Sequence, residues 1–336
     1  MSQPGFLDIV GNREARQWLE RSSQQGTPYP ALLFSGPAGL GKRLTAIWYA
    51  AYLNCAGEER PCGRCPSCGK IGRGNHPDLL IQERLEKKNT LGVGEIREGI
   101  AAADYAPYEG GYRIWIIPEA ERLTEEAQNS LLKTLEEPPR KLVVILVTSN
   151  LGVILPTVAS RCQPLRFRPV ETTEVESVLL ARGCEPERAG QVAALAEGRV
   201  GKALQLLEQP LLWEQRESIL GLLTRLPGQD LWGAIETAQE FEKMRTDRED
   251  RGNLERILET ARSFYRDLLV VAAGAPAEMA VNAHHHQALA SAAGKLGRSG
   301  AVLALERVAE AEEQMQQNVS PRLLLQRLCL RLAKGN

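Results

Sequence analysis

The stretch Tyr112–Pro139, YRIWIIPEAERLTEEAQNSLLKTLEEPP, constrains the fold of this chain more than any other. Ile114 to Ile117 is a short run of β-branched and aromatic residues, the pattern of a strand buried on both faces of a parallel sheet. Acidic residues follow at once. Thr124 has the chemistry of an N-cap, Glu125 and Glu126 suit a first helical turn, and Leu123, Ala127, Leu131, Leu132 and Leu135 fall at helical spacing before Pro138 and Pro139 end the helix. A buried strand that delivers acidic groups at its carboxyl end is how nucleotide-hydrolysing sheets hold metal and water beside a phosphate. Here Pro118 stands where the metal-binding aspartate belongs, and Glu119 remains.

A second strand signal, Ala31 to Phe34, runs into Ser35-Gly36-Pro37-Ala38-Gly39-Leu40-Gly41-Lys42-Arg43. Strand, glycine loop and helix come in the order of a phosphate-binding loop, with Gly36, Gly39, Gly41 and Lys42 as the candidate nucleotide-binding residues beside Glu119. The residue after Lys42 should carry a hydroxyl for magnesium, and it is Arg43, which has no lone pair to donate. Thr45 lies two positions on, about 200° around a helix, and is a poor substitute.

Cys55, Cys62, Cys65 and Cys68 crowd into the segment CAGEERPCGRCPSC. Two successive two-residue spacings set three thiolates on tight turns, and Cys55 supplies a fourth from the end of a helix, as in a closed tetrahedral zinc site that folds an insert. An iron–sulfur cluster or unliganded thiols are the alternatives. Arg60, Arg64, Lys70 and Arg73 around it form either a solvated basic face or a nucleic-acid contact. Globally, 41 Lys and Arg against 42 Asp and Glu give no basic field that would make nucleic acid the main partner. The first residues lack the basic and apolar regions of a signal peptide, and no apolar run approaches the roughly 18 residues of a membrane span, so a cytoplasmic protein without a membrane partner is expected.

Elsewhere, helices are expected over 14–22 and 93–103, a strand over 78–82, and the most apolar run, Leu142 to Val147, ends in Thr148, Ser149 and Asn150. Polar groups at the end of a central strand either sense a γ phosphate or cap the next element. His76 is expected to be a structural hydrogen-bonder. Pro169 opens a small helical region with helices over 175–182 and 186–197. From Leu211 onward the period is helical, with breaks at Pro227-Gly228, Gly274 to Pro276 and Gly297 to Gly300, and helices over 254–273 and 321–333. His284, His285 and His286 fan through about 200° on a helix, cannot all reach one metal, and are expected at the surface. Trp213 and Trp232 are expected in the core.

GPAGLGK, the four-cysteine insert, AERLTEEAQNSLLKTLEEPP, LVVILVTSN and Ser160-Arg161-Cys162 occur in an order that resembles the bacterial clamp-loader ATPases of the AAA+ superfamily, over roughly the first 210 residues. The resemblance implies an α/β fold: an AAA+ P-loop parallel-sheet domain over 1–168 with its zinc insert at 55–68, a helical lid over 169–210, and an all-α collar over 211–336. It implies that Arg161 is an arginine finger acting in trans on ATP held by a neighbouring subunit, stabilising charge on the transferred phosphate. Implied partners are the gamma/tau and delta subunits of a DNA polymerase III hetero-oligomer, the sliding clamp and, through the complex, primed DNA.

The clade contains a motor that hydrolyses ATP and a relative that does not do so efficiently. Arg43 and Pro118 remove both magnesium ligands, and Gly201 stands where the motor carries its second sensor arginine, with Arg199 or Lys202 as partial stand-ins. Three losses beside an intact Ser160-Arg161-Cys162 resemble the non-motor member, with one structural zinc per chain and weak or no ATP or ADP binding. Two alternatives stay open. One is an active ATPase motor in which waters complete the magnesium shell; the other is a zinc-dependent nucleic-acid-binding protein with a vestigial P-loop.

Overall fold

The computed structural model describes residues 7, 9–24, 26–83, 90–109, 111–244, 251–276, 279–316 and 319–334. The chain divides into two compact units, Met1–Leu204 and Gln205–Asn336. The first is built on a five-stranded parallel sheet of β1 (Ala31–Ser35), β2 (Leu79–Ile81), β3 (Arg113–Ile117), β4 (Leu142–Thr148) and β5 (Gln163–Arg166), in the order β2-β3-β4-β1-β5.

Period-two alternation assigns the two faces of this sheet. Leu32 and Phe34 of β1, Ile114 and Ile116 of β3, and Val143, Ile145 and Val147 of β4 share one core. Over it lie α1 (Arg13–Gln24), α2 (Lys42–Asn54) and α3 (Pro66–Gly72), with Leu19, Tyr49, Cys68 and Ile71 buried in the same cluster. Ala31 and Leu33, Trp115 and Ile117, and Leu142, Val144 and Leu146 face the other way. There they meet α4 (Val93–Ala103), α5 (Glu125–Glu136) and α6 (Pro156–Ala159) through Ile96, Leu131 and Val158. Ile114 to Ile117 are completely buried, as a strand covered on both faces requires. Thr124 caps α5 as its chemistry dictates, its hydroxyl accepting the Ala127 N–H at 3.2 Å. Helices α7 (Thr172–Ala181), α8 (Pro186–Ala196) and α9 (Val200–Glu208) follow β5.

Two buried polar side chains tie loops to this frame. The Asp78 carboxylate accepts the N–H groups of Tyr108 at 2.7 Å and Glu109 at 2.9 Å and pairs with Arg113. The Gln128 amide donates to the Val153 carbonyl at 3.1 Å and accepts the Leu155 N–H at 2.8 Å, fixing the approach to α6 and so to Arg161.

The second unit is helical: α10 (Pro210–Arg225), α11 (Leu231–Lys243), α12 (Arg251–Ala272), α13 (His286–Gln316) and α14 (Pro321–Ala333). Its core gathers Leu220, Phe241, Phe264, Tyr265, Leu289 and Leu325, among others. The break expected at Gly297 is present: its φ 62° and ψ −176° are non-helical and separate two helical runs within α13. Two expectations are corrected here. Trp232, expected in the core, is 72% exposed beside exposed Leu231 in the first turn of α11. Trp213 is half-buried and stacks on His284. Among the described residues no helix is long and apolar enough to cross a membrane.

Replacing Gln128 by leucine keeps the volume and leaves the Leu155 N–H and Val153 C=O without their partner. The expected cost is about 1–3 kcal/mol, read as a lower urea midpoint; an unchanged midpoint would refute the assignment.

Candidate functional site

The in-register pairing of Ser35 with Thr148 brings the ends of β1 and β4 together, and β3 ends beside them through Ile117 and Leu146. Loops leaving these strands therefore converge at the carboxyl edge of the sheet, where an open α/β sheet binds its ligands. Gly36 leaves β1 at φ 139°, and a Cβ there would lie 2.4 Å from the Phe167 carbonyl oxygen, so only glycine fits. Gly39 and Gly41 also have positive φ, and α2 starts at Lys42.

Lys42 is buried, and its Nζ donates to the Gly36 carbonyl and, at 2.7 Å, to the Pro37 carbonyl. Burial lowers its pKa, opposed by the charge of Glu121. The lysine thus satisfies its own loop. Arg43 turns away to an exposed pair with Glu83 at 2.5 Å. The Thr45 hydroxyl, fully buried, donates to the Gly41 carbonyl at 3.0 Å, the back-bond of a residue inside its own helix.

At the end of β3 the chain turns through Glu119 in the left-handed region, φ 52°. The Glu119 carboxylate lies 3.1 Å from Arg122. Two positions on, Glu121 accepts both the Ser149 hydroxyl and, at 3.2 Å, the Ser149 N–H. Glu121 is therefore the carboxylate whose charge reaches Lys42, and sequence reasoning passed over it. Of the three candidate sensor residues, Thr148 is buried and bonds both ways with the Asn150 backbone, and Asn150 accepts the Gly152 N–H at 3.0 Å. Both groups cap the turn after β4. Ser149 alone joins the carboxylate side.

Helix α9 closes over the loop. The Gly201 N–H donates to the Gly39 carbonyl at 2.8 Å, and a Cβ on Gly201 would approach that oxygen to 3.0 Å and the Gly39 Cα to 3.1 Å. A side chain at 201 would press on this backbone contact and require it to give by a few tenths of an ångström. Arg199 bonds the Ala196 carbonyl and Glu197 within its own turn.

Arg161 follows α6 and lies at the surface. Its guanidinium donates to the Thr157 carbonyl at 2.8 Å and to Glu136 at 2.6 Å, from the end of α5. Cys162 next to it is buried, and desolvation raises its thiol to about 12.

The sulfurs of Cys55, Cys62, Cys65 and Cys68 all lie within 4.8 Å of one another. The Cys65–Cys55 separation is 4.0 Å, close to the edge of about 3.8 Å that a tetrahedron of Zn–S bonds requires. Backbone N–H groups point at the sulfurs: Gly57 and Cys62 donate to Cys55 Sγ, Cys65 to Cys62 Sγ and Cys68 to Cys65 Sγ, at 3.3 to 3.4 Å. Burial opposes ionisation of Cys65, but the N–H groups of Cys68 and Ala56 and the neighbouring thiols outweigh it and hold this thiol near about 6. Cys62 is likewise lowered, chiefly by the N–H groups of Arg64 and Cys65. Desolvation raises Cys68 to about 12. This donor set fits a zinc ion, which removes the cost of gathering thiolates. His76, buried, bonds Ser67 at 3.0 Å and the Asp78 N–H at 3.1 Å, and serves the frame behind the cluster.

Residues 11–171 match the sequence profile of the family described as "DNA polymerase III, delta subunit". The DNA polymerase III subunit tau of Bacillus subtilis is 33% identical over 214 residues, 61% of this chain and 38% of that protein. The subunit gamma/tau of Mycobacterium tuberculosis is 38% identical over 186 residues, 54% of this chain and 32% of the relative. The chain thus spans about a third of the length of these relatives. The subunit delta' of B. subtilis is 28% identical over 310 residues, 91% of each chain.

The cysteine geometry makes one prediction. The metal-stripped chain titrated with Co2+ is expected to develop intense thiolate-to-cobalt absorption that Zn2+ bleaches. A Cys62→Ser, Cys65→Ser double variant that kept the same absorption would rule the cluster out.

Proposed function

We propose that the chain is a clamp-loader subunit of bacterial DNA polymerase III, the delta prime subunit, a largely structural member of the loader whose own nucleotide site is degenerate; the profile match over residues 11–171 supports the subunit class. The observation that carries this reading is the fate of the magnesium ligands. Arg43 has left the site for Glu83, Pro118 offers no donor, and Lys42 is bonded to carbonyls of its own loop. The match to the B. subtilis delta' subunit over 91% of both chains supports it as well.

In this reading residues 1–168 form the AAA+ domain, 169–210 the lid and 211–336 the collar that joins a ring of subunits. The four cysteines hold one structural zinc. Gly36, Gly39, Gly41, Lys42 and Glu119 keep the outline of a nucleotide site, while Thr148 and Asn150 cap a turn. ATP or ADP binds weakly or not at all. Arg161 is the finger offered to the ATP site of an adjacent gamma/tau subunit: it is anchored by Glu136 and Thr157 at the surface, where a trans-acting group has to be. The assembled loader, with its delta subunit, opens the sliding clamp for primed DNA.

One observation favours a second reading, the motor: identity is higher to the tau and gamma/tau relatives, at 33% and 38%, than to delta' at 28%. ATP hydrolysis separates the two. The purified chain is expected to turn over ATP no faster than its Lys42→Ala variant, and turnover that vanishes in that variant would make the chain a motor. In the assembled loader, Arg161→Ala is expected to slow hydrolysis at the neighbouring site by about 10³-fold or more. Unchanged turnover there would remove the finger assignment.

A further inference from the structure

A second cluster of metal-ligating side chains lies in the helical unit. Glu217 on α10 meets His284 and His285 on the short 3-10 turn Ala283–His285 that leads into α13. His285 Nε2 is 2.8 Å from one Glu217 oxygen and His284 Nε2 is 3.3 Å from the other, across 68 and 67 residues of sequence. All three ligand atoms lie within 4.8 Å of one another.

We propose that Glu217, His284 and His285 form a binding site for a divalent transition-metal ion of the zinc class, separate from the four cysteines. Two imidazole nitrogens and one carboxylate are a donor set that such ions favour, at bond lengths of about 2.0–2.2 Å. Bonds of that length set donors about 3.4 Å apart, and with one ligand atom from each residue all three already lie within 4.8 Å of one another, so side-chain rotations close the difference. The two rings converge on one carboxylate, each Nε2 facing a different oxygen of Glu217. His286 begins α13 and stays exposed.

The residue before each arm of the site is locked from behind. Arg216, buried, donates to the Asn282 side-chain oxygen at 2.7 Å and also bonds Thr260 and Ser263. Asn282, fully buried, gives its own N–H to Asp267 at 2.7 Å and its amide to Asp267 and Ser263. Glu217 and the histidine turn are thus presented to one another by a buried polar network that fixes the backbone just before each of them. Trp213, one helical turn before Glu217, stacks on the His284 ring at 6.2 Å and 24° and covers its face. Three protein ligands leave a further position open for water or a partner's side chain. Bound there, the ion would staple α10 to the start of α13. This inference does not depend on the clamp-loader reading.

The test uses the untagged full chain with its cysteines saturated by Zn2+, titrated with Co2+. One further equivalent of Co2+ is expected to bind, with weak visible d–d bands, no thiolate absorption, and a rise in Tm by mass action. Glu217→Gln and His285→Asn, both at partly exposed positions, are each expected to weaken this binding by about tenfold or more, while His286→Asn leaves it unchanged. No further equivalent, uptake that neither ligand variant weakens, or thiolate absorption showing that cobalt has entered the cysteines instead would each overturn the site.

Discussion

A parallel sheet covered on both faces spends its backbone hydrogen bonds on its own ladder, and leaves the carboxyl ends of its strands as the place where polar groups can meet a ligand. The placing of the glycine loop and its polar neighbours follows from that constraint. The pairing of Ser35 with Thr148 fixes the phosphate loop beside the turn after β4, and β3 delivers Glu119 and Glu121 at the same edge. The two apolar faces differ in what they carry. One packs α2 and the cysteine insert, the other α4, α5 and the segment leading to Arg161.

At that edge the charged and polar groups are satisfied from within the chain. Lys42 bonds the carbonyls of Gly36 and Pro37, Arg43 pairs with Glu83, Glu119 with Arg122, and Glu121 holds Ser149. Gly201 seals the loop through the Gly39 carbonyl. In the proposed reading, a nucleotide entering this edge has first to break those contacts and then replace them. Arg161 differs in kind, being held at the surface by a carboxylate and a carbonyl that orient its guanidinium.

Much of this was legible in the sequence wherever one local rule acted alone. The buried strand at Ile114 to Ile117, the Thr124 cap, the proline stop after α5 and the meeting of Cys55 with Cys62, Cys65 and Cys68 all depend on spacing over a few residues. What escaped depends on backbone excursions that periodicity does not register. The left-handed turn at Glu119 leads into Glu121, whose carboxylate holds Ser149 at the end of β4 and which spacing alone did not single out. His284 and His285 come together on Glu217, a partner too distant in sequence for any local pattern to find. Trp232 was assigned by its size, yet its place in the first turn of α11 leaves it facing solvent. The break at Gly297, by contrast, was legible, because a glycine takes the positive φ that interrupts α13 there.

Helix α2 has Lys42 as its first residue, while Cys55 is its C-cap. Thirteen residues make a rod of about 20 Å, with the phosphate loop at one pole and the four-sulfur cluster at the other. Packed along its length against the sheet core, this rod holds the glycine loop and the four-sulfur cluster at a fixed separation, so the two ends of one helix are tied to one another without touching.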